Sequence, residues 1–332
     1  MDNGRNGQRR TLEPLVWDEL HYVIFVLAFP GIGRALYCRM RLPTPTESTS
    51  AMQVQSGFLQ RCKTLACRIN IKLNSTVAPR RVGRTFFGHR FRCDIRDFIQ
   101  VRIYFFHIWE PRLTSFMQQR IKAGDTVVDV GANIGYFSCL MSNLVGETGQ
   151  VLAIEASPGI FSQLTANVQE NGCSNVQMLN LAVWERPGEI TMYLEHPRNQ
   201  GRTTLLAQSS GAPVGTIRCD RLVNILSLYI EDISFIKVDV EGAERPVLED
   251  ILANVSRFKR PLNVVAEISP NNADLIAEFA KSGFDCFRLE NVYDVGFYMA
   301  ARAKDPAALD PCLKPIAASD GHLDGDYVFV LR

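Results

Sequence analysis

The chain has 332 residues, 46% of them hydrophobic and 21% charged, which suits one large globular domain with an extension and excludes a disordered chain. Nine cysteines form no paired framework, and the close pair Cys62 and Cys67 has no second pair or histidine beside it to complete a zinc site, so reduced thiols in a cytoplasmic protein are expected. The net charge of +1 hides an asymmetry: residues 1–122 hold 20 basic against 8 acidic side chains, and the remainder 16 against 27.

Residues 1–80 read as an N-terminal extension, polar and disordered over 1–12, with an apolar helix near 17–29 and a Pro/Thr/Ser linker at 42–50. The apolar run Tyr22 to Phe29 is too short to span a bilayer, which takes about 20 residues. With Arg34, Arg39 and Arg41 behind it, a peripheral contact with the inner membrane face is one reading, and a homo-oligomer contact or buried helix the other. Residues 51–80 carry only weak helical signal. A second, larger domain is expected over 81–332, opening with a hairpin at Thr85 to Cys93, after which Asp94 to Pro111 leads into a helix ending near Gly124. Within that stretch Glu110, between Trp109 and Pro111, either lines a pocket or begins a helix.

Thr126 to Val130 is a β-branched, apolar run interrupted by one acid, Asp129, as in a buried parallel strand. It breaks at Gly131-Ala-Asn-Ile-Gly135 and passes into a helix with Ile134, Phe137, Leu140, Met141, Leu144 and Val145 on one face. Strand, glycine-bearing turn and helix N-terminus make half of a nucleotide-binding unit. A pyrophosphate cradle wants G-x-G-x-x-G. Here Asn133 replaces the middle glycine, and Glu155 ends a second strand, Val151 to Ile154, where an acid binds ribose hydroxyls. That combination favours S-adenosylmethionine (SAM) over NAD, with an ordinary crossover carrying no ligand as the remaining reading.

Downstream, strands are expected at 176–183, 190–194, 214–219, 233–239, 262–268, 284–289 and 327–331, with helices between most of them. Such alternation gives an α/β sheet wound on both faces. The polar loop from His196 to Gly211 is long enough to be functional. Ligands in such sheets bind beyond the carboxyl ends of the strands, where Asp129, Glu155, Asp239, Glu241 and Glu267 fall. Asp220 reads instead as the cap of a helix. Asp239, Glu241 and Glu244 crowd three carboxylates into six residues, and like charges that close raise one another's pKa, as a base requires.

The runs Val127 to Ser138 and Ile236 to Glu244, with Trp109-Glu-Pro111, Cys219 to Leu222 and Pro261 to Glu267, resemble the FkbM family of SAM-dependent methyltransferases over roughly residues 85–300. The resemblance implies a class I methyltransferase, Rossmann-like fold: a seven-stranded, mostly parallel sheet with a reversed last strand. It also implies O-methylation of a hydroxyl on a sugar, glycolipid or secondary metabolite. The implied cofactor residues are Gly131, Asn133 and Gly135 for the methionine end, Glu155 for the ribose and Ala182 for the adenine edge, joined by Glu110, Asp129 and Ala156. For the chemistry, Glu241 is the candidate base, Asp239 orients substrate or cofactor and Glu267 assists. A divalent ion on Asp239, Glu267 and Asp220 is an option some sugar methyltransferases use. Rival readings are an oxidoreductase on the same sheet, or a non-catalytic SAM-binding or membrane- and partner-binding protein. The acidic C-terminal part, with no aromatic-basic track, argues against a nucleic-acid substrate.

Overall fold

The computed structural model describes residues 22–28, 35–41, 49–77, 79–194, 203–204, 213–240, 242–302, 305–316 and 324–332. The chain forms two compact units, Met1–Cys62 and Lys63–Arg332, so the unit bearing the sheet begins inside a helix and not at residue 81. In the first unit β1 (Tyr22–Ala28) pairs antiparallel with β2 (Ala35–Arg41), which corrects the helix expected over 17–29. A run rich in β-branched and aromatic residues followed by Pro30-Gly-Ile-Gly33 carries strand and turn chemistry, and its apolarity alone does not distinguish the two. Residues 1–12 and most of the expected linker lie outside the described residues. α1 (Thr49–Val77) occupies the stretch that sequence pattern left unassigned. Its polar Ser, Thr and Asn residues obscure any clean apolar stripe, and Cys67 and Ile71 are what pack onto the core of the second unit.

The hairpin of β3 (Arg80–Arg84) and β4 (Arg90–Asp94) leads to α2 (Phe98–Phe106), whose first N–H groups are capped by the Asp97 carboxylate through Ile99 at 3.0 Å and Gln100 at 2.9 Å. Asp94 to Pro111 thus holds a helix of its own, and the helix expected to end near Gly124 follows it as a separate element. α2 ends at His107 (φ 65°), and α3 (Pro111–Arg120) starts afresh behind Glu110 (φ 39°). Pro111 is the cause: the residue before a proline is excluded from right-handed helix, while proline itself fits the first helical position.

β5 (Thr126–Val130), α4 (Tyr136–Val145), β6 (Gln150–Ile154), α5 (Pro158–Glu170) and β7 (Val176–Leu179) follow the expected alternation. A side sheet then forms from β8 (Ala182–Val183), β9 (Gly188–Leu194), β10 (Thr203–Thr204) and β11 (Pro213–Asp220). Most of the 196–211 loop is outside the described residues. After the short α6 (Leu222–Ile225) come β12 (Ile233–Val238), α7 (Glu244–Ala253), β13 (Leu262–Ile268), α8 (Asp274–Lys281), β14 (Asp285–Leu289), α9 (Val295–Arg302), β15 (Leu313–Pro315) and β16 (Gly325–Leu331). Arg221, not Asp220, occupies the cap position of α6, and the Asp220 carboxylate braces the turn through Arg221 N at 2.7 Å and Asn224 Nδ2 at 2.8 Å.

The main sheet runs β15-β14-β16-β13-β12-β5-β6-β7, with β16 antiparallel to both β13 and β14. Without the short edge strand β15, this is the seven-stranded order with a reversed last strand that defines the class I methyltransferase fold. Alternation along β5 divides the core: Val127 joins the cluster with Phe116, Tyr136 and Phe137, while Val128 and Val130 join that of α6, α7 and α8. In the second cluster Phe279 of α8 stacks on Phe329 of β16 with ring centroids 4.1 Å apart, both fully buried. Phe279→Ala should therefore cost about 3–5 kcal/mol of stability, read as a lowered midpoint in urea unfolding.

Candidate active site

A cavity of about 540 Å³ opens beyond the carboxyl ends of β5, β6, β12 and β13, within the range of small-molecule sites. Its floor is the Gly131–Gly135 turn. Gly131 and Ala132 both donate to the Ile154 carbonyl at 2.9 Å, tying the end of β5 to that of β6. Gly131 has φ 79°, and a Cβ there would lie 1.8 Å from the Asp239 carbonyl oxygen, so only glycine lets β5 and β12 close up under the cavity. Asn133, where a dinucleotide motif has glycine, is also left-handed (φ 52°), a conformation asparagine tolerates, and its side-chain Oδ1 accepts from Ile134 N at 2.8 Å.

Glu155 sits at the end of β6 as expected. Its carboxylate accepts from Asn133 N at 2.9 Å and Ser157 N at 2.8 Å, which fixes it and leaves lone pairs on the cavity side for hydroxyl donors. Burial lifts this carboxyl to about 7 against the pull of those two N–H groups. Ile154, Ala156, Leu181, Ala182 and Val183 form an apolar slot beside it.

Glu110, Asp239, Glu267 and Asp326 line the rest of the cavity with Trp109, Phe98 and Tyr293. The left-handed turn at Glu110 directs its nearly buried carboxylate inward, where it accepts from the Tyr293 hydroxyl at 2.8 Å. Burial first, then the charges of Asp326 and Asp239, hold the Glu110 carboxyl well above the usual range. Asp326 was not anticipated from sequence. It is opposite Glu267 in the β13–β16 register, and only the antiparallel insertion of β16 brings the start of that strand to the carboxyl ends of the others. Burial, outweighing a bond from Asn291 Nδ2 at 2.6 Å, raises it to about 6. Tyr293 and Lys237 were missed too. Nothing in a local pattern marks Tyr293, and Lys237 reads as one polar residue in an apolar strand.

Lys237 is 3% exposed, with its ammonium 3.1 Å from Asp239 and 3.5 Å from Asp129, its register partner on β5. Burial works against the charged ammonium, but Asp239, Asp129 and Glu110 outweigh it and hold the proton on. Two expected cofactor residues thus lie beneath the cavity and not on its wall. Asp129 is fully buried, bonded to Ser138 Oγ at 2.6 Å. Gly135 begins α4, where an added Cβ would meet Leu164 Cδ1 at 2.6 Å. Asp220 does not line the cavity, so the set Asp239, Glu267 and Asp220 is not brought together. Glu241 lies outside the described residues.

The residues present fit SAM. A ribose acceptor, an apolar slot for adenine and a cavity lined by six carboxylates suit a cofactor with a cationic methionine end. Fold and site together define a SAM-dependent methyltransferase. Residues 129–286 match the model described as the methyltransferase FkbM domain. This sets the oxidoreductase reading aside. Among similar proteins, methyltransferase sdnD of Sordaria araneosa is 29% identical over 49% of this chain and 74% of its own length. Methyltransferase 1 of Beauveria bassiana is 28% identical over 45% and 66% respectively. Of solved structures, the fibrillarin of Aeropyrum pernix with bound SAM aligns at a TM-score of 0.38 and 12% identity, covering 77% of this chain and 84% of that one, too distant to carry weight. Among the described residues no helix is long and apolar enough to cross a membrane.

Lys237→Met should destabilise the protein by about 3–5 kcal/mol in denaturant titrations, because it strands the buried Asp129 carboxylate without a counter-charge. The pH dependence follows from Glu155 and Asp326, whose folded pKa values of about 7 and about 6 lie above their ordinary 4.5 and 3.8. The folded state keeps these protons longer than the unfolded one, so their contribution is fully present at low pH and is lost as pH rises through about 7. For Glu155 alone that loss is on the order of 3 kcal/mol. SAM affinity should move the other way, tightening from pH 5.5 to 7.5 with proton release, measurable by titration calorimetry in buffers of different ionisation enthalpy.

Proposed function

We propose that this methyltransferase acts on oxygen, transferring the methyl group to a hydroxyl of a small sugar, glycolipid or secondary metabolite. The observation that carries this reading is Asp326. It faces Asp239 and Glu267 in the half of the cavity away from Glu155, and its carboxyl titrates at about 6. An alcohol is a poor nucleophile until its proton has somewhere to go, and a carboxylate with a pKa near the working pH accepts it best. Bound SAM supplies an electrophilic methyl on a sulfonium. Gly131 and Asn133 hold its methionine end, Glu155 its ribose, and Ala156 with Ala182 the adenine edge, while the negative field of Glu110 and Asp239 favours the cation.

Asp239 orients the acceptor from its hold on Lys237, Glu267 assists across the β13–β16 pair, and Asp326 takes the proton. Most of the rate enhancement then comes from aligning the acceptor oxygen with the methyl group. The half-exposed rings of Phe98 and Tyr293 and the buried Trp109 pack mutually at centroid distances of 5.8, 6.0 and 5.6 Å and give an aromatic corner for the acceptor. Such a corner suits a sugar ring or an aromatic metabolite.

Methyl-labelled SAM incubated with the protein and host extract should label the glycan, lipid or small-molecule fraction. Label in protein or nucleic acid would overturn the acceptor class, and SAM binding without label anywhere would favour a non-catalytic role. With the acceptor in hand, Asp326→Asn should lower kcat by about 10²–10⁴-fold while leaving the SAM dissociation constant within about twofold.

A further inference from the structure

On the far side of the cofactor turn, three side chains of metal-binding chemistry meet that none of the functional assignments above uses. Cys139 lies on α4, fully buried; Cys173 follows α5 and is 7% exposed; His89 closes the turn between β3 and β4. Their ligand atoms all fall within 4.8 Å of one another, with His89 Nδ1 at 4.0 Å from Cys173 Sγ. In a tetrahedral zinc site, bond lengths of about 2.3 Å to sulfur and about 2.1 Å to nitrogen separate ligand atoms by roughly 3.5–3.8 Å. Small adjustments of three side chains therefore suffice.

The site is built and not incidental. His89 is held by reciprocal bonds with Thr85, whose N–H donates to the His89 carbonyl at 2.8 Å and whose Oγ1 accepts from His89 N at 3.1 Å. The Phe87 ring stands edge-on to the imidazole at 5.1 Å and covers it. Ser142, one turn beyond Cys139, donates to Asn175 Oδ1 at 2.5 Å, which places a polar side chain on the same face of α4.

We infer that His89, Cys139 and Cys173 bind a zinc-class divalent ion, with water beside Ser142 as the fourth ligand, pinning the β3–β4 hairpin to α4 and α5. Two thiolates and an imidazole select a soft, tetrahedral ion over magnesium or calcium. Because α4 begins at Gly135, the ion secures the base of the cofactor turn without touching the cofactor.

The full-length protein, purified without chelator, incubated with zinc sulfate and desalted, should retain one zinc per chain by elemental mass spectrometry. Cobalt in its place should give the strong visible bands and thiolate charge-transfer absorption of a tetrahedral sulfur-ligated site. His89→Asn, Cys139→Ser and Cys173→Ser should each abolish retention, and Cys67→Ser should not. His89→Asn changes only a turn residue, so its SAM binding reports whether the fold is intact. Zinc should raise the melting temperature of the wild type and leave that of His89→Asn unmoved. No retained zinc in the reduced wild type, retention unchanged in His89→Asn, or a Cys139–Cys173 disulfide in the protein as isolated would each overturn the proposal.

Discussion

The structure turns on the Lys237 ammonium. It is buried between Asp129 and Asp239 on neighbouring strands, and one oxygen of Asp129 has no hydrogen bond, only this cation for company. Each charge would be untenable alone in such surroundings. Together they let two acids stand at the ends of β5 and β12. The pair also couples floor to wall, because Asp129 anchors Ser138 of α4 from below while Asp239 faces the cavity.

Above that pair the protein concentrates negative charge. The acidic excess of the C-terminal part is not spread over the surface alone, since Glu155, Asp239, Glu267 and Asp326 face one cavity, and Glu110 joins them from the otherwise basic N-terminal third. Partial burial keeps several of these groups protonated to higher pH, so the cavity accumulates negative charge as they ionise near neutrality. A cationic cofactor relieves that repulsion, and an acid left with a pKa near 6 can then work as a base.

Strain is localised at the same place. Glu110 adopts a left-handed conformation unusual for a residue with a side chain, held by Pro111 behind it and by a bond from its N–H to Tyr298 Oη at 3.2 Å. The break between α2 and α3 that this causes is what turns a carboxylate into the cavity and sets Trp109 against Tyr293.

The sequence by itself determined the sheet strands β5, β6, β12 and β13, the glycine turn, and the acids Glu155, Asp239 and Glu267, because these features are local: a period, a turn requirement, a charge at a strand end. It misassigned Tyr22–Ala28, where a short apolar run fits either helix or strand, and Asp129 and Gly135, which it set among the cofactor residues, do not line the cavity. Only the tertiary structure decided the rest. Asp326 reaches the cavity because β16 runs backwards between β13 and β14, and Lys237 neutralises Asp129 because two strands distant in sequence lie in register. His89, Cys139 and Cys173 lie far apart along the chain, and only the hairpin and the helices bring them within 4.8 Å. Contacts between residues far apart along the chain leave no periodic trace in it, so no reading of local pattern could have found them.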